Sequence, residues 1–380
     1  MTRARRQLRT PICDLFDIEY PILLAGMGGV VSPSGPELTA AVSNAGGLGV
    51  LGGAFLPAEE LAEWIERTRA LTDRPFGVDT LLPMNVLHGP QKVIANVAGK
   101  IIRSEHLIPR KHRKFADAFR KRHGLPEPDI DPPAFDFKFM ERQIEVILDL
   151  KPAVYVAGLG DPGFMVERAH GLGMKVGSVI GATRHANRVK KSGVDFVVAQ
   201  GHDGGGHNSR IGTLALVPQV VDAVAPIPIV GAGAIMDGRG LVACLALGAQ
   251  GVWCGSAFLA TDEANITDAQ KQALVSADEA HTVVSPSMTG KPARALKNLW
   301  VDEFEASGLE ALPMPLQAYL TFDVFAAADR AGRADISPGG AGQGIGLVDA
   351  IRPAADVFND LVEQACDVLE TNLRRRVSWA

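Results

Sequence analysis

Eight short apolar runs recur along the chain. Each ends in small residues and is followed by a stretch with helical spacing, and this beat limits the fold more than any other feature. The runs fall at residues 21–27, 48–52, 75–79, 153–157, 175–180, 196–200, 227–230 and 251–254. Between them, residues 36–44, 57–72, 162–172, 183–192, 214–223 and 239–247 read as helices. Pro36 suits a first helical turn, and Gly46-Gly47 suits its end. Strands that are apolar on both faces belong in parallel sheets covered by helices. Eight such units are the count of a closed (β/α)₈ TIM barrel, with an open doubly wound sheet as the rival.

Two stretches break the beat and divide the chain. Residues 1–84 carry barrel units one to three, and residues 85–145 form a long basic insertion after the third strand. Units four to eight occupy 146–261, and 262–338 reads as a helical lid or substrate domain after the eighth strand. Residues 339–380 hold a glycine-rich segment and a final amphipathic helix, about 351–374, packing on the barrel. That helix ends in arginines, which suit a helix C-terminus.

A chain of 380 residues with 47% hydrophobic and 21% charged residues has the composition of a globular protein with a full core. Its net charge of −5 gives no general reason to bind nucleic acid. Arg3, Arg5, Arg6 and Arg9 precede no apolar signal core, and no long apolar run suggests a membrane span. Cys13, Cys244, Cys254 and Cys366 fit no metal spacing and read as reduced thiols, so the expectation is a cytoplasmic enzyme without a metal. The 41 glycines are the outlier. They cluster just after the apolar runs, where a backbone without Cβ can approach a ligand closely.

The last two units carry the clearest chemistry. Ala232-Gly233-Ala234 ends the seventh barrel strand, and Gly255-Ser256 follows the eighth in the same register. In (β/α)₈ enzymes these two loops commonly bind phosphate through backbone N–H groups. After the sixth strand, Gln200-Gly201-His202-Asp203-Gly204-Gly205-Gly206-His207 places two histidines on a flexible loop at the catalytic face. Histidine titrates near neutrality and is the usual proton-transfer group. His207 is the better candidate, because the glycines before it let its backbone pass close to a planar ligand.

Taken in order, these segments resemble the nitronate monooxygenase family, formerly called 2-nitropropane dioxygenases. The resemblance rests on residues 21–27, 45–52, 75–78, 200–207, 230–234, 255–258, 289–298 and 340–344. Its members are FMN-dependent (β/α)₈ enzymes, with flavin enoyl-acyl-carrier-protein reductases and NADH:quinone reductases among their relatives. The resemblance implies FMN as cofactor, with Ala25, Gly26 and Met27 against the flavin ring. It implies flavin contacts at Gln200, Gly205 and Gly206, and a phosphate cradle of Ala232, Gly233, Ala234, Gly255 and Ser256. His207 matches the family's catalytic histidine, and Gln343 would close over the site. The implied reaction is oxidation of alkyl nitronates with O₂. Reduction of an enoyl or other acyl thioester with NAD(P)H is the alternative, and NAD(P)H:quinone reduction is a second. The substrate is a small molecule in each case, and neither nucleic acid nor a membrane is an expected partner.

Two positions depart from the family pattern. Asp79 stands where the family commonly has Asn, and a carboxylate near the flavin only accepts hydrogen bonds unless it is protonated. Val179 stands where some quinone-reductase relatives place lysine. The basic segment, from Lys100 through Arg122, reads either as a solvated surface hairpin or as a dock for an anionic arm such as that of CoA, a carrier protein or NAD(P)H.

Overall fold

The computed structural model describes residues 6–82, 107–127, 137–337 and 339–377. Eleven strands in these residues form two sheets, numbered in chain order. The barrel strands are β1 (Ile22–Leu24), β2 (Gly49–Gly52), β3 (Phe76–Leu81), β4 (Val154–Leu159), β5 (Lys175–Ile180), β6 (Phe196–Gln200), β8 (Ile229–Ala232) and β9 (Gly251–Cys254). They lie in the order β1-β9-β8-β6-β5-β4-β3-β2, with all pairs parallel. The ring closes between β1 and β2, where Leu48 N–H donates to Ile22 O at 3.1 Å and Leu24 N–H donates to Leu48 O at 2.9 Å. The fold is a (β/α)₈ barrel, and the open doubly wound sheet is excluded.

Alternation along each strand sorts the core into two layers. Leu23, Val50, Val154, Val156, Phe196, Val198, Val230 and Trp253 fill the barrel interior. Their neighbours Ile22, Leu24, Leu51, Tyr155, Val197, Ile229 and Val252 face the surrounding helices. The N-terminal helix Pro11–Phe16 plugs the bottom of the barrel with Ile12, Cys13 and Phe16, and Phe16 meets Phe196 edge-on at 4.9 Å. Between strands, the helices Pro36–Asn44, Ala58–Leu71, Thr213–Val224 and Gly238–Ala246 form part of the outer layer. At the far end, Ala354–Asp367 packs on Gly238–Ala246 and Pro36–Asn44, and continues through a π-helical turn, Val368–Asn372, into Leu373–Arg376.

The boundary of the insertion falls earlier than the sequence suggests. Phe137–Leu150 is one helix, and Phe139, Met140, Ile144, Ile147 and Leu148 bury against the barrel's outer core. Residues 137–145 therefore belong to the barrel layer. Lys100 and Arg103 lie outside the described residues, but Arg110–Arg122 is a helix with two unlike faces. His112, Ala116 and Phe119 recur at helical spacing and are buried, while Arg110, Lys111, Arg113, Lys114, Lys121 and Arg122 are exposed and Arg120 is largely covered, bonded to Glu127.

The buried face completes a second small core with the 262–338 region, which is not wholly helical. That region includes the helices Asp268–Val275, Leu299–Ala306 and Leu316–Arg330, and the antiparallel pair β10 (Thr282–Ser285) and β11 (Ala293–Leu296). The two-residue strand β7 (Gly206–His207) adds to β11, so the lid sheet runs β10-β11-β7. Phe115 and Phe119 meet Trp300 edge-on at 5.4 and 5.2 Å, and Phe115 meets Phe304 at 5.6 Å. Leu320, Val324, Ala327 and Ala328 close the cluster from Leu316–Arg330. Where it is described, the basic segment is a helix solvated on one face and part of the lid's core on the other.

Phe119 is fully buried in this cluster. Phe119→Ala is expected to cost roughly 3–5 kcal/mol, as a large buried aromatic leaves a cavity that neighbours only partly fill. Urea unfolding followed by circular dichroism measures it. A stability equal to that of the wild type would show that the basic helix is not docked here.

Candidate active site

The C-terminal ends of the barrel strands surround a cavity of about 340 Å³, roofed by the lid. Of the residues expected at the site, Ala25, Gly26, Met27, Asp79, Gln200, Gly205, Gly206, His207, Ala232, Gly233, Ala234, Gly255 and Ser256 all line it. Gln343 does not. It is exposed at the start of the short helix Gln343–Leu347, and its backbone N–H donates to Asp203 O at 2.9 Å. Gly339 and Gly340 reach the cavity instead, and Gly342 N–H donates to Ser256 Oγ at 2.8 Å. A sequence position carries no side-chain orientation, so the resemblance placed Gln343 near the site without placing its amide in it.

The cradle is built from backbone. Gly233 and Ala234 both adopt left-handed φ, 114° and 54°, which turns successive peptide groups toward one side. Among the described residues, no hydrogen bond takes the N–H groups of Gly233, Ala234, Gly255 or Ser256. These are four uncommitted donors flanked by small side chains at the cavity wall, the chemistry an anion would need. Any Cβ at Gly233 would strike Thr213 Oγ1, and the φ of 114° disfavours an L-residue in any case.

The loop from Gln200 to His207 is clamped from both sides. Gln200 Nε2 donates to Gly205 O at 3.2 Å and to His207 O at 2.9 Å. The buried Arg294 donates through Nε and Nη2 to His202 O at 3.3 and 3.2 Å, and through Nη1 to Thr282 Oγ1 at 3.0 Å. His202 is outside the cavity wall, with Nδ1 2.5 Å from Ser209 O. His207 pairs with Ala293 of β11, so the lid fixes the register of this residue.

His207 Nε2 lies 2.8 Å from Thr289 Oγ1. Burial, aided by the positive charge of nearby Lys291, pushes the His207 pKa down to about 4. The imidazole is therefore neutral at pH 7. It is a proton acceptor or a neutral hydrogen-bonding group there, and a poor general acid. Burial also lowers the Lys291 pKa. Sequence reasoning missed Thr289 and Lys291 as partners of His207, although both lie in the segment 289–298 that carries the resemblance.

The roof is apolar. Ala318, Tyr319, Phe322 and Phe325 recur at helical spacing on the cavity face of Leu316–Arg330, beside Met288 and Pro315. These aromatics were not singled out, because the helix is apolar on both faces and its sequence does not show which face meets a cavity.

Comparison with known proteins agrees with this fold. Residues 9–364 match the nitronate monooxygenase family. A relative from Mycobacterium tuberculosis, designated only as a monooxygenase, is 36% identical over 95% of this chain and 98% of its own. A Staphylococcus saprophyticus protein named "Probable nitronate monooxygenase" is 32% identical over 96% and 99% of the two chains. Among solved structures, a nitroalkane oxidase from Streptomyces ansochromogenes superposes with TM-score 0.77 at 30% identity, covering 94% of this chain and 98% of that one. FabK from Thermotoga maritima superposes with TM-score 0.74 at 28% identity, over 97% and 100%.

Gly233→Val is expected to abolish retention of a phosphate-bearing cofactor while the barrel still folds. Flavin absorbance and circular dichroism of the purified variant check both halves. Full flavin occupancy in a folded variant would put the cradle elsewhere.

Proposed function

The chain belongs to the nitronate monooxygenase family of flavin-dependent oxidoreductases, and from that premise we propose that it oxidises alkyl nitronates with O₂, using FMN. The observation that carries the reading is the charge state around His207: a neutral imidazole with a lysine close by. An anionic nitronate is attracted by Lys291 and meets no opposing charge on His207. A neutral nitroalkane finds in the same imidazole a base for its α-proton.

The cofactor assignment rests on the fit of the residues present. The free backbone donors at Gly233, Ala234, Gly255 and Ser256 suit a terminal phosphate, as FMN has. Ala25, Gly26, Gly205 and Gly206, with the flexible Met27, offer a wall that suits a flat ring. Bound there, the flavin supplies the electron transfer between substrate and O₂. The protein positions the substrate under the apolar roof, excludes water, and holds or takes a proton at His207.

Reduction of an acyl thioester is the second reading, favoured by the likeness to FabK and by the exposed cations of Arg110–Arg122. It needs a proton donor at the reacting carbon, a role that a histidine held neutral fills poorly. Anaerobic mixing separates the readings. A nitronate is expected to bleach the flavin, and bleaching by NADPH alone would overturn the proposal.

His207→Ala is expected to retain flavin while turnover falls by roughly 10²–10⁴-fold, the range for general acid–base residues. Unchanged turnover would remove His207 from the reaction. The pH profile gives a separate measure. With a pKa of about 4 in the folded protein, below its usual value, His207 stays neutral as pH falls until about pH 4. The acid limb of kcat/KM is expected near there, and a limb near pH 6.5 would mean a solvated imidazole. By linkage, the same depression removes stability as pH drops below the unfolded value of about 6.5, since the unfolded chain then binds the extra proton.

A further inference from the structure

Asp79 is a carboxyl group built into the cavity wall without a cation to balance it. It lies on the inner face of β3, in register with Gly52 of β2 and Val156 of β4, and is buried. Its Oδ1 accepts one hydrogen bond, from Gly158 N–H at 2.9 Å. Space for the side chain exists because two neighbours lack Cβ. At Gly158 such an atom would stand 2.5 Å from Oδ1, and at Gly26 it would collide with the Asp79 side chain, 2.8 Å from Oδ2.

The groups facing Asp79 from neighbouring elements carry no positive charge. The loop after β1 presents Ala25, Gly26 and Met27, β2 presents Gly52, and β4 presents Val156 and Gly158. The hydroxyl groups of Tyr155 and Thr80, on the neighbouring strand and the next residue, bond each other at 2.9 Å. No ion pair to Asp79 is formed among the described residues. A buried carboxylate with one backbone donor is poorly compensated, so the neutral form prevails. Burial accordingly holds its pKa well above the usual carboxylate range.

We propose that Asp79 works as a neutral carboxylic acid, with Oδ1 accepting from Gly158 and a protonated Oδ2 donating a hydrogen bond to an acceptor on the bound flavin ring. A carboxylic acid in this state both accepts and donates, as a side-chain amide would. Asp79 therefore leaves the charge next to the ring unchanged. This inference rests on the flavin reading for its ligand, and on the cavity alone for its protonation state.

The test is infrared spectroscopy of the wild type at pH 8, where Asp329, with its pKa raised by burial to about 6, is ionised. A protonated-carboxyl C=O band is expected in the flavin-free protein, absent from Asp79→Asn, and shifted when FMN is added. Absence of the band overturns the protonation state, and a band unmoved by bound FMN overturns the donor role. Failure of FMN to bind, with the band still present, would instead count against the flavin reading. Asp79→Asn is further expected to keep FMN affinity within about threefold of the wild type and its reduction potential nearly unchanged. Asp79→Ala is expected to lose roughly five- to tenfold in affinity, about one hydrogen bond. A clear rise in potential for Asp79→Asn would mean that a negative charge had been removed, and would overturn the proposal.

Discussion

The join between β1 and β2 is the constraint on which the site depends. β1 has three residues, and two hydrogen bonds through Leu48 make the contact that turns an eight-stranded sheet into a ring. Gly47 permits it, since a Cβ there would stand 2.5 Å from Ile22 O. Closure removes the exposed sheet edges and brings strands distant in sequence to one rim. Without it, Ala25–Met27 and Asp79 would not face Ala232–Ala234 across a shared cavity. The cavity is thus a property of the whole ring.

How much could be read beforehand follows from which forces are local. Residues 175–180, 196–200 and 251–254 fold as strands with the bounds their apolar runs suggest, because polar or glycine residues mark both ends. β8 is displaced toward its C-terminal end. Pro228 lacks an N–H for the ladder, while the small residues Gly231 and Ala232 pair with Ala199 and Gln200. The glycine loops were legible for the same local reason, since they follow strands directly. The contact of His207 with Thr289 joins residues 82 apart in the chain and left no local signal. The β-hairpin of the lid was also missed, because Ala293–Leu296 lacks the β-branched residues that mark strands.

The lid is more than a cover. Its strand β11 pairs with the two residues that carry His207, its Thr289 meets the imidazole, and its Arg294 holds the loop before it. Barrel and lid together fix one side chain, so neither positions the imidazole alone. The same enclosure strips water from the imidazole and keeps it uncharged.

Leu316–Arg330 has a consequence of another kind. One face of this helix roofs the cavity with aromatic rings, and the other packs on Trp300 and the basic helix Arg110–Arg122. A substitution on the outer face changes how the helix sits, and so the shape of the chamber beneath it, from positions that do not line the cavity. Substrate range can drift over evolutionary time through residues that never touch a substrate. The helix Arg110–Arg122 after β3 is thereby joined to the shape of the cavity through Leu316–Arg330, although it lines none of it.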